Sequence, residues 1–242
     1  MRRGTQAVLL VLTGAGLLRI SLLTDLYLRY VQPGLRPYLV ASGVLLILLG
    51  VLGAVRRPVA DHGHGHGHEH GHGAWAAWLL YAPALALLLA PPAALGAYTA
   101  ARDDGRVAPA AADGRPRPLP ARPTIELSLP EFGSLATWGT SRPLAGRTLR
   151  LTGFAAPGEN GTWYLSRLVI TCCAADARVV KVRIHGAQPP PPDTWVAVTG
   201  TWHPTGEPGT NTARPALDAS AVTRIPPPDD PYQHGTKGGT GR

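Results

Sequence analysis

Two adjacent cysteines followed by an aspartate are the residues of this chain best suited to chemistry. Cys172 and Cys173 are its 2 cysteines, and Asp176 follows shortly after them. Thiolates and carboxylates bind zinc and related divalent ions, and a thiol with a lowered pKa also carries out redox chemistry. Free cysteines also pack as small buried hydrophobes. Metal binding, thiol chemistry and packing therefore all remain open for this pair.

The spacing of the cysteines restricts how they could act. Consecutive Cα atoms lie about 3.8 Å apart, below the usual disulfide range of about 4.4–6.8 Å, so we expect no ordinary bridge between them. The alternatives are a strained vicinal disulfide, two free thiols and a metal-bound pair, of which we favour the last two. Zinc motifs usually separate their cysteines by about two to four residues. In a regular strand neighbouring side chains point to opposite faces, so both thiols reach one ion only where the strand has bent. His185 or His203 could complete such a site.

A histidine-rich loop over residues 58–73 holds a second set of candidate ligands. Its histidines are separated by glycine except at Glu69, and Asp61 precedes them. Imidazole suits zinc, copper and nickel, and glycine spacing lets several rings reach one ion. We predict binding of zinc or another divalent metal; the alternative is a disordered polar loop without a ligand. The candidate ligands are His62, His64, His66, His68, His70 and His72.

The first part of the chain, residues 1–99, predicts three membrane spans in contact with lipid. They run from Ala7 to about Leu28, from Tyr38 to Val55, and from Ala74 to about Tyr98. A helix rises about 1.5 Å per residue, so about 20 apolar residues cross a hydrocarbon core of about 30 Å. Arg19 lies within the first span, where an arginine costs about 2.5–3.5 kcal/mol. We expect it to face protein or water, or to snorkel if the span begins early.

Arginine placement predicts the orientation of these spans. Pairs at positions 2–3 and 56–57 flank one side, and Arg29 and Arg36 lie in the opposite loop. The positive-inside rule places the N-terminus and the histidine loop in the cytoplasm, and hence the C-terminal domain outside it. The net charge of +8 is spread along the chain. Without a dense basic cluster we predict no nucleic-acid partner.

The C-terminal part predicts a small all-β, OB-like barrel over residues 124–227, after a flexible linker at 100–123 and before a disordered tail at 228–242. Alternating apolar residues and turn signals support five short strands. Trp163, Trp195 and Trp202 could line a binding face, or lie in the core. The predicted strands cover residues 146–154, 163–172, 178–185, 194–202 and 217–225.

Three motifs of this domain resemble the YcgQ-type family of permease subunits. They are the Cys-Cys-x-x-Asp-Ala signature within Ile170–Ala177, the segment Asp193–Gly200 and the Pro-rich segment Ile225–Tyr232. The resemblance implies an accessory membrane subunit with a YcgR-type permease partner and a link to metal handling. No catalytic residues are defined for that family, so it assigns none here. The alternatives are a membrane-tethered thiol or metal-dependent enzyme, and an extracytoplasmic OB-like binding module.

Overall fold

The computed structural model describes residues 3–55, 93–103, 105, 119–138, 143–210 and 212–234. The chain divides into two compact units, Met1–Ala93 and Ala94–Arg242. The histidine loop lies outside the described residues, as does the third predicted span up to residue 92. The prediction of metal ligands in that loop therefore stays a prediction.

The first unit contains two apolar helices, α1 (Arg3–Leu18) and α2 (Arg36–Val55). A π-helical turn, Arg19–Leu23, continues α1, and two short 3-10 turns, Leu26–Arg29 and Pro33–Leu35, connect the pair. The segments 6–23 and 33–55 are long and apolar enough to cross a membrane, by length and composition. Two of the three predicted spans are thus helices in the structure, and a third is not shown.

Small residues form the contact between α1 and α2. Ala7, Gly14, Gly43 and Gly50 are buried. A Cβ atom added to Gly50 would lie 2.8 Å from Cγ2 of Val11 and 2.9 Å from the carbonyl oxygen of Ala7. Small residues let helix backbones approach closely, which is how apolar helices associate in lipid. The glycines therefore have a packing role in this unit.

We expect Gly50→Leu to separate the two helices. The added side chain would overpack the contact, which typically costs about 1–3 kcal/mol. Hydrogen exchange in detergent micelles should show faster exchange of the α1 amides, by at least about fivefold. Gly53→Leu is the matched control, because a Cβ at Gly53 meets nothing within 4 Å. Equal acceleration in both variants would contradict a specific role for Gly50.

The π-helical turn carries the predicted intramembrane arginine. The side chain of Arg19 is exposed in this unit. Nearby, Arg36 donates from Nε to the carbonyl oxygen of Ser21 at 2.8 Å, and its guanidinium lies 5.6 Å from the ring centroid of Tyr27. That Arg19 faces protein or water within a membrane remains a prediction.

The second unit contains a seven-stranded mixed sheet. Its order is β1-β2-β5-β6-β4-β3-β7, and β2 also pairs with β3. The pairs β1–β2, β3–β7 and β4–β6 are parallel and the others antiparallel. The strands are β1 (Thr124–Glu126), β2 (Thr148–Pro157), β3 (Trp163–Ile170), β4 (Arg178–His185), β5 (Trp195–Trp202), β6 (Ala216–Arg224) and β7 (Tyr232–His234).

Strands β2 to β6 correspond to the five predicted strands. In β4 the structure buries Val180, Val182 and Ile184, as their alternation indicated. Strands β1 and β7 were not predicted, and β7 lies within the tail that was predicted to be disordered. It is ordered because it pairs with β3, a contact between distant parts of the sequence. The structure shows a mixed sheet. That this sheet forms an OB-like barrel stays a prediction.

The domain predicted as all-β over residues 124–227 is a mixed sheet that also contains a helix, and a second helix of this unit precedes it. Helix α3 is Ala97–Arg102, and α4 is Leu129–Trp138. The Ser128 hydroxyl accepts a hydrogen bond from the backbone N–H of Glu131 at 3.3 Å, and Phe132 is buried in the main core. Ser-x-x-Glu before an apolar pattern is a helix-start signal that a search for strands alone overlooks.

The unit has two apolar clusters. The main core gathers inward-facing residues of β2 to β6 around α4, with Trp163 and Leu165 among its buried members. The second cluster contains Ala97 and Ala100 of α3 together with Phe154, Leu168, Ile170, Val179 and Tyr232. Residues 97–102 thus form a helix that packs onto the sheet through Ala97 and Ala100, where the sequence predicts the end of a span and the start of a flexible linker.

Candidate metal centre at the Cys172–Asp176 turn

The two cysteines lie in the bend between β3 and β4. Strand β3 ends at Ile170, and a 3-10 turn over Ala174–Asp176 leads into β4. The Asp176 carboxylate accepts hydrogen bonds from the backbone N–H groups of Thr171 at 2.9 Å and Cys172 at 2.8 Å. These bonds close the turn from within, so Asp176 determines the backbone path on which both thiols sit.

The bend brings both thiols to the same side. The two Sγ atoms lie 3.6 Å apart, and both cysteines are free. One ligand atom from each of Cys172, Cys173 and Asp176 falls within 4.8 Å of the others. Cys172 is exposed, whereas Cys173 and Asp176 are half-buried. A metal ion could therefore approach from solvent and meet two sulfur atoms and one carboxylate oxygen.

Hydrogen bonding within the turn shifts two pKa values in opposite directions. The pKa of Asp176 falls to about 2, first because the Cys172 thiol donates to its carboxylate and then because the Thr171 N–H does. The pKa of Cys172 rises to about 11, first through the bond with Asp176 and then through the bond with Cys173. At neutral pH the turn thus holds a carboxylate beside a protonated thiol.

These protonation states disfavour nucleophilic chemistry by Cys172 and make metal ligation dependent on pH. The thiolate is both the nucleophile and the metal ligand, so a raised pKa makes Cys172 a poor nucleophile on its own. A divalent cation favours the thiolate and displaces the thiol proton, so binding would release protons and strengthen as pH rises. The carboxylate is already ionised and ready to accept a cation. The three convergent ligand atoms fit a metal ion by their geometry, and the raised pKa of Cys172 does not favour a nucleophilic reaction.

We expect Asp176→Asn to make Cys172 more reactive. Losing the carboxylate should bring the Cys172 pKa from about 11 towards its ordinary value of 9.0. Alkylation by iodoacetamide at pH 8 should then accelerate about tenfold, because the gain in thiolate outweighs its lower nucleophilicity. Mass spectrometry can locate the adduct at Cys172. Asp229→Asn, at an exposed position, is the control, and an unchanged rate in Asp176→Asn would contradict the carboxylate's role.

The same pKa values give a direction for stability against pH. A thiol pKa raised to about 11 stabilises the fold fully below its ordinary value of 9.0, and this contribution is lost as pH rises through about 11. A carboxyl pKa lowered to about 2 stabilises it above the ordinary 3.8, and this is lost as pH falls through about 2. The turn is therefore most stable between these limits.

The histidines proposed as further ligands lie together elsewhere on the sheet. The rings of His185 and His203 stack with centroids 4.5 Å apart, and His203 Nδ1 lies 2.9 Å from a carboxylate oxygen of Asp218. Burial, followed by the charge of His203, lowers the pKa of His185. Among the described residues, the three-residue group with metal-ligand spacing is that of the cysteine turn, which includes neither histidine.

The tryptophans predicted as a possible binding face have different surroundings. Trp163 is buried in the main core and donates from Nε1 to the carbonyl oxygen of Ala187 at 3.0 Å. Trp195 packs edge-to-face on Phe154 at 5.7 Å between centroids, with the Arg167 guanidinium 4.6 Å from its ring. Trp202 is half-buried against the core. Trp163 is therefore a core residue and not part of an exposed face.

Two residues of this unit make contacts that the sequence did not reveal. Asp193 accepts a hydrogen bond at Oδ1 from the Ala97 N–H at 2.6 Å, and the Tyr232 hydroxyl accepts one from the Leu95 N–H at 3.2 Å. Both residues belong to the motifs that carry the family resemblance. Their partners are distant along the chain, so spacing alone could not have assigned these contacts.

This protein combines two apolar helices with a mixed β-sheet domain, and that domain carries an exposed Cys-Cys-x-x-Asp turn. A family model described as the DUF1980 C-terminal domain matches residues 141–234, which include the turn and strands β2 to β7. The chain is similar to that family over less than half of its length. No curated protein and no solved structure matches the chain. The YcgQ-type permease assignment stays a prediction.

Proposed function

We propose that this protein is a membrane-anchored accessory subunit of a permease, and that its C-terminal domain binds zinc or a related divalent metal. The observation that carries the metal-binding part is the convergence of Cys172, Cys173 and Asp176 within 4.8 Å. Zinc sites commonly have four ligands. Two sulfur atoms and one oxygen atom therefore leave a fourth position for water, for a ligand that accompanies a transported ion, or for a partner residue. The histidine loop would supply additional ligands elsewhere in the chain.

The proposed domain type is OB-like. Strands β2, β3, β4, β6 and β5 are joined by successive pairings that return to β2. Such a circuit is what an OB-like barrel of five strands requires. The proposed location of the domain outside the cytoplasm rests on the arginine distribution and on the third span predicted from residue 74 to about residue 98.

The alternatives have less support from the described residues. A thiol-dependent enzyme would need a lowered cysteine pKa, whereas that of Cys172 is raised to about 11. A glycan- or oligonucleotide-binding module would need an open face on the sheet. Helix α3 covers part of the face formed by Phe154, Leu168 and Val179. Metal binding at the turn needs no open face on the sheet, and a divalent cation itself displaces the proton of the Cys172 thiol.

Titration of the full chain with Co²⁺ in detergent micelles tests metal binding at the turn. Thiolate-to-cobalt charge-transfer absorption reports cysteine ligation and is not produced by the histidine loop. We expect this absorption to saturate and to disappear when Zn²⁺ displaces Co²⁺. A titration without any thiolate charge-transfer absorption would exclude the turn as a metal site under those conditions.

The permease partner needs a separate experiment. Affinity purification of the tagged chain from native membranes is expected to recover a polytopic membrane protein in a fixed ratio. A reporter enzyme fused to the C-terminus should be active outside the cytoplasm if the chain has three spans. Purification of the chain alone, or a cytoplasmic reporter signal, would overturn the corresponding part of the proposal.

A further inference from the structure

Helix α3 and the Cys172–Asp176 turn, the proposed metal site, pack against the same apolar cluster, the second cluster of this unit. Ala97 is 3% exposed and Ala100 is 0% exposed, and both belong to the second cluster. Ala174 and Ala177, which flank Asp176, pack against this cluster from the turn. Ile170 and Val179 connect them, because they are cluster members at the two ends of the bend. A displacement of α3 therefore removes apolar support from the turn.

Asp193 holds the beginning of α3. Its side chain accepts the hydrogen bond from the Ala97 N–H, one of the N–H groups that a helix start leaves without an intrahelical partner. Gly96 is required at this contact, because a Cβ there would collide with Asp193 Oδ1. Asp193 itself has a φ of 63°, and its N–H donates to the carbonyl oxygen of Ala155 at 3.0 Å. The loop before β5 is thus built around this contact.

Tyr232 holds the segment just before α3. Its ring is 2% exposed, and its hydroxyl accepts from the Leu95 N–H. Tyr232 pairs with Leu168 on β3, close to the end of the strand that leads into the cysteines. Beyond the other end of α3, Lys181 Nζ donates to the carbonyl oxygen of Asp103. Contacts from three strands or loops therefore secure α3 on the sheet.

We propose that Asp193 and Tyr232 are positioning residues for the Cys172–Cys173–Asp176 site, which they influence by docking α3 beside it. The proposal rests on the proposed metal function. With α3 docked, Ala174 and Ala177 are supported, and the turn holds its ligands close together. With α3 released, ordering the turn costs conformational entropy at the moment of binding, so metal affinity falls.

Coupling of this kind is reciprocal. If docking of α3 raises metal affinity by a given factor, metal binding favours docking of α3 by the same factor. A purely structural role for Asp193 or Tyr232 would stabilise the domain without this reciprocity. The two effects can be measured independently, one as an affinity for Co²⁺ and the other as hydrogen exchange in α3.

Asp193→Gly tests the coupling with little backbone strain. Glycine accepts a φ of 63° readily but has no side chain to accept the Ala97 N–H. Asp193→Asn also tolerates this φ and keeps an acceptor oxygen, so it is the rescue variant. Asp229→Gly makes the same chemical change at an exposed position and is the control. Tyr232→Phe removes the hydroxyl that accepts from the Leu95 N–H and keeps the buried ring.

All variants are full chains in detergent micelles, titrated with Co²⁺ through the thiolate charge-transfer absorption. We expect Asp193→Gly and Tyr232→Phe to weaken Co²⁺ binding by about 5- to 150-fold, the usual range of coupling. Asp193→Asn and Asp229→Gly should retain most of the affinity. In the parent chain, Co²⁺ should slow the exchange of amides 97–102 by a comparable factor, and Asp193→Gly should abolish that protection.

The possible failures are distinguishable. Faster exchange in α3 with unchanged Co²⁺ affinity in both variants would overturn the coupling and leave the metal site intact. Absence of the charge-transfer absorption in the parent chain would instead overturn the proposed function. If Asp193→Gly loses its β-sheet circular dichroism, Tyr232→Phe decides the question.

Discussion

Replacing Cys172 and Cys173 together by serine is expected to abolish thiolate-dependent metal binding by this protein. The two sulfurs, 3.6 Å apart, are two of the three convergent ligand atoms. Removal of even an outer-shell partner typically weakens a metal site about 10- to 100-fold, so loss of two direct ligands should weaken zinc affinity by more than about 100-fold. Competition for Zn²⁺ with a chromophoric chelator, in chains whose loop histidines are replaced by asparagine, measures this change with and without the two thiols.

A complementary variant separates the turn from the histidine loop. Replacing the six loop histidines by asparagine should leave the charge-transfer absorption and its affinity unchanged, while it lowers the total zinc bound at equilibrium dialysis. The opposite pattern, in which the loop variant loses the tight site and the serine variant keeps it, would place the metal function in the loop. The structure's turn would then be a packing feature.

Trp163→Ala is expected to cause the largest loss of stability among single replacements of the three tryptophans Trp163, Trp195 and Trp202. Trp163 is 2% exposed, and its Nε1 donates to the carbonyl oxygen of Ala187. Truncating a buried tryptophan typically costs about 3–5 kcal/mol, through lost burial and the cavity that remains. Urea unfolding of the full chain in micelles, followed by β-sheet circular dichroism, measures the free energy of unfolding.

The same replacement distinguishes a core tryptophan from a ligand-binding one. Surface replacements away from special contacts usually change stability by less than about 0.5 kcal/mol. Trp202→Ala, at a half-buried position, should cost clearly less than Trp163→Ala. A Trp163→Ala variant as stable as the parent chain would show that the indole is not part of the core.

Much of the sheet was predictable because strand formation leaves a local pattern. The alternation in 146–154 and 178–185 reflects one buried and one exposed face, and both segments are strands, β2 and β4. Strand β7 has three residues, too few for such a pattern, and it is ordered through pairing with β3. Helix α3 is short as well, and it is held by partners as distant as Asp193 and Tyr232.

The sequence by itself determined the apolar helices, the five main strands and the position of the cysteine pair between two strands, because each depends on residues close together in the chain. It could not decide whether Cys172 and Cys173 face the same way. Only the tertiary structure decided that, since the Asp176 carboxylate binds the N–H groups of Thr171 and Cys172 and bends the backbone. The support of that bend by α3 also depends on distant contacts, which burial and hydrogen bonding establish only in the folded domain.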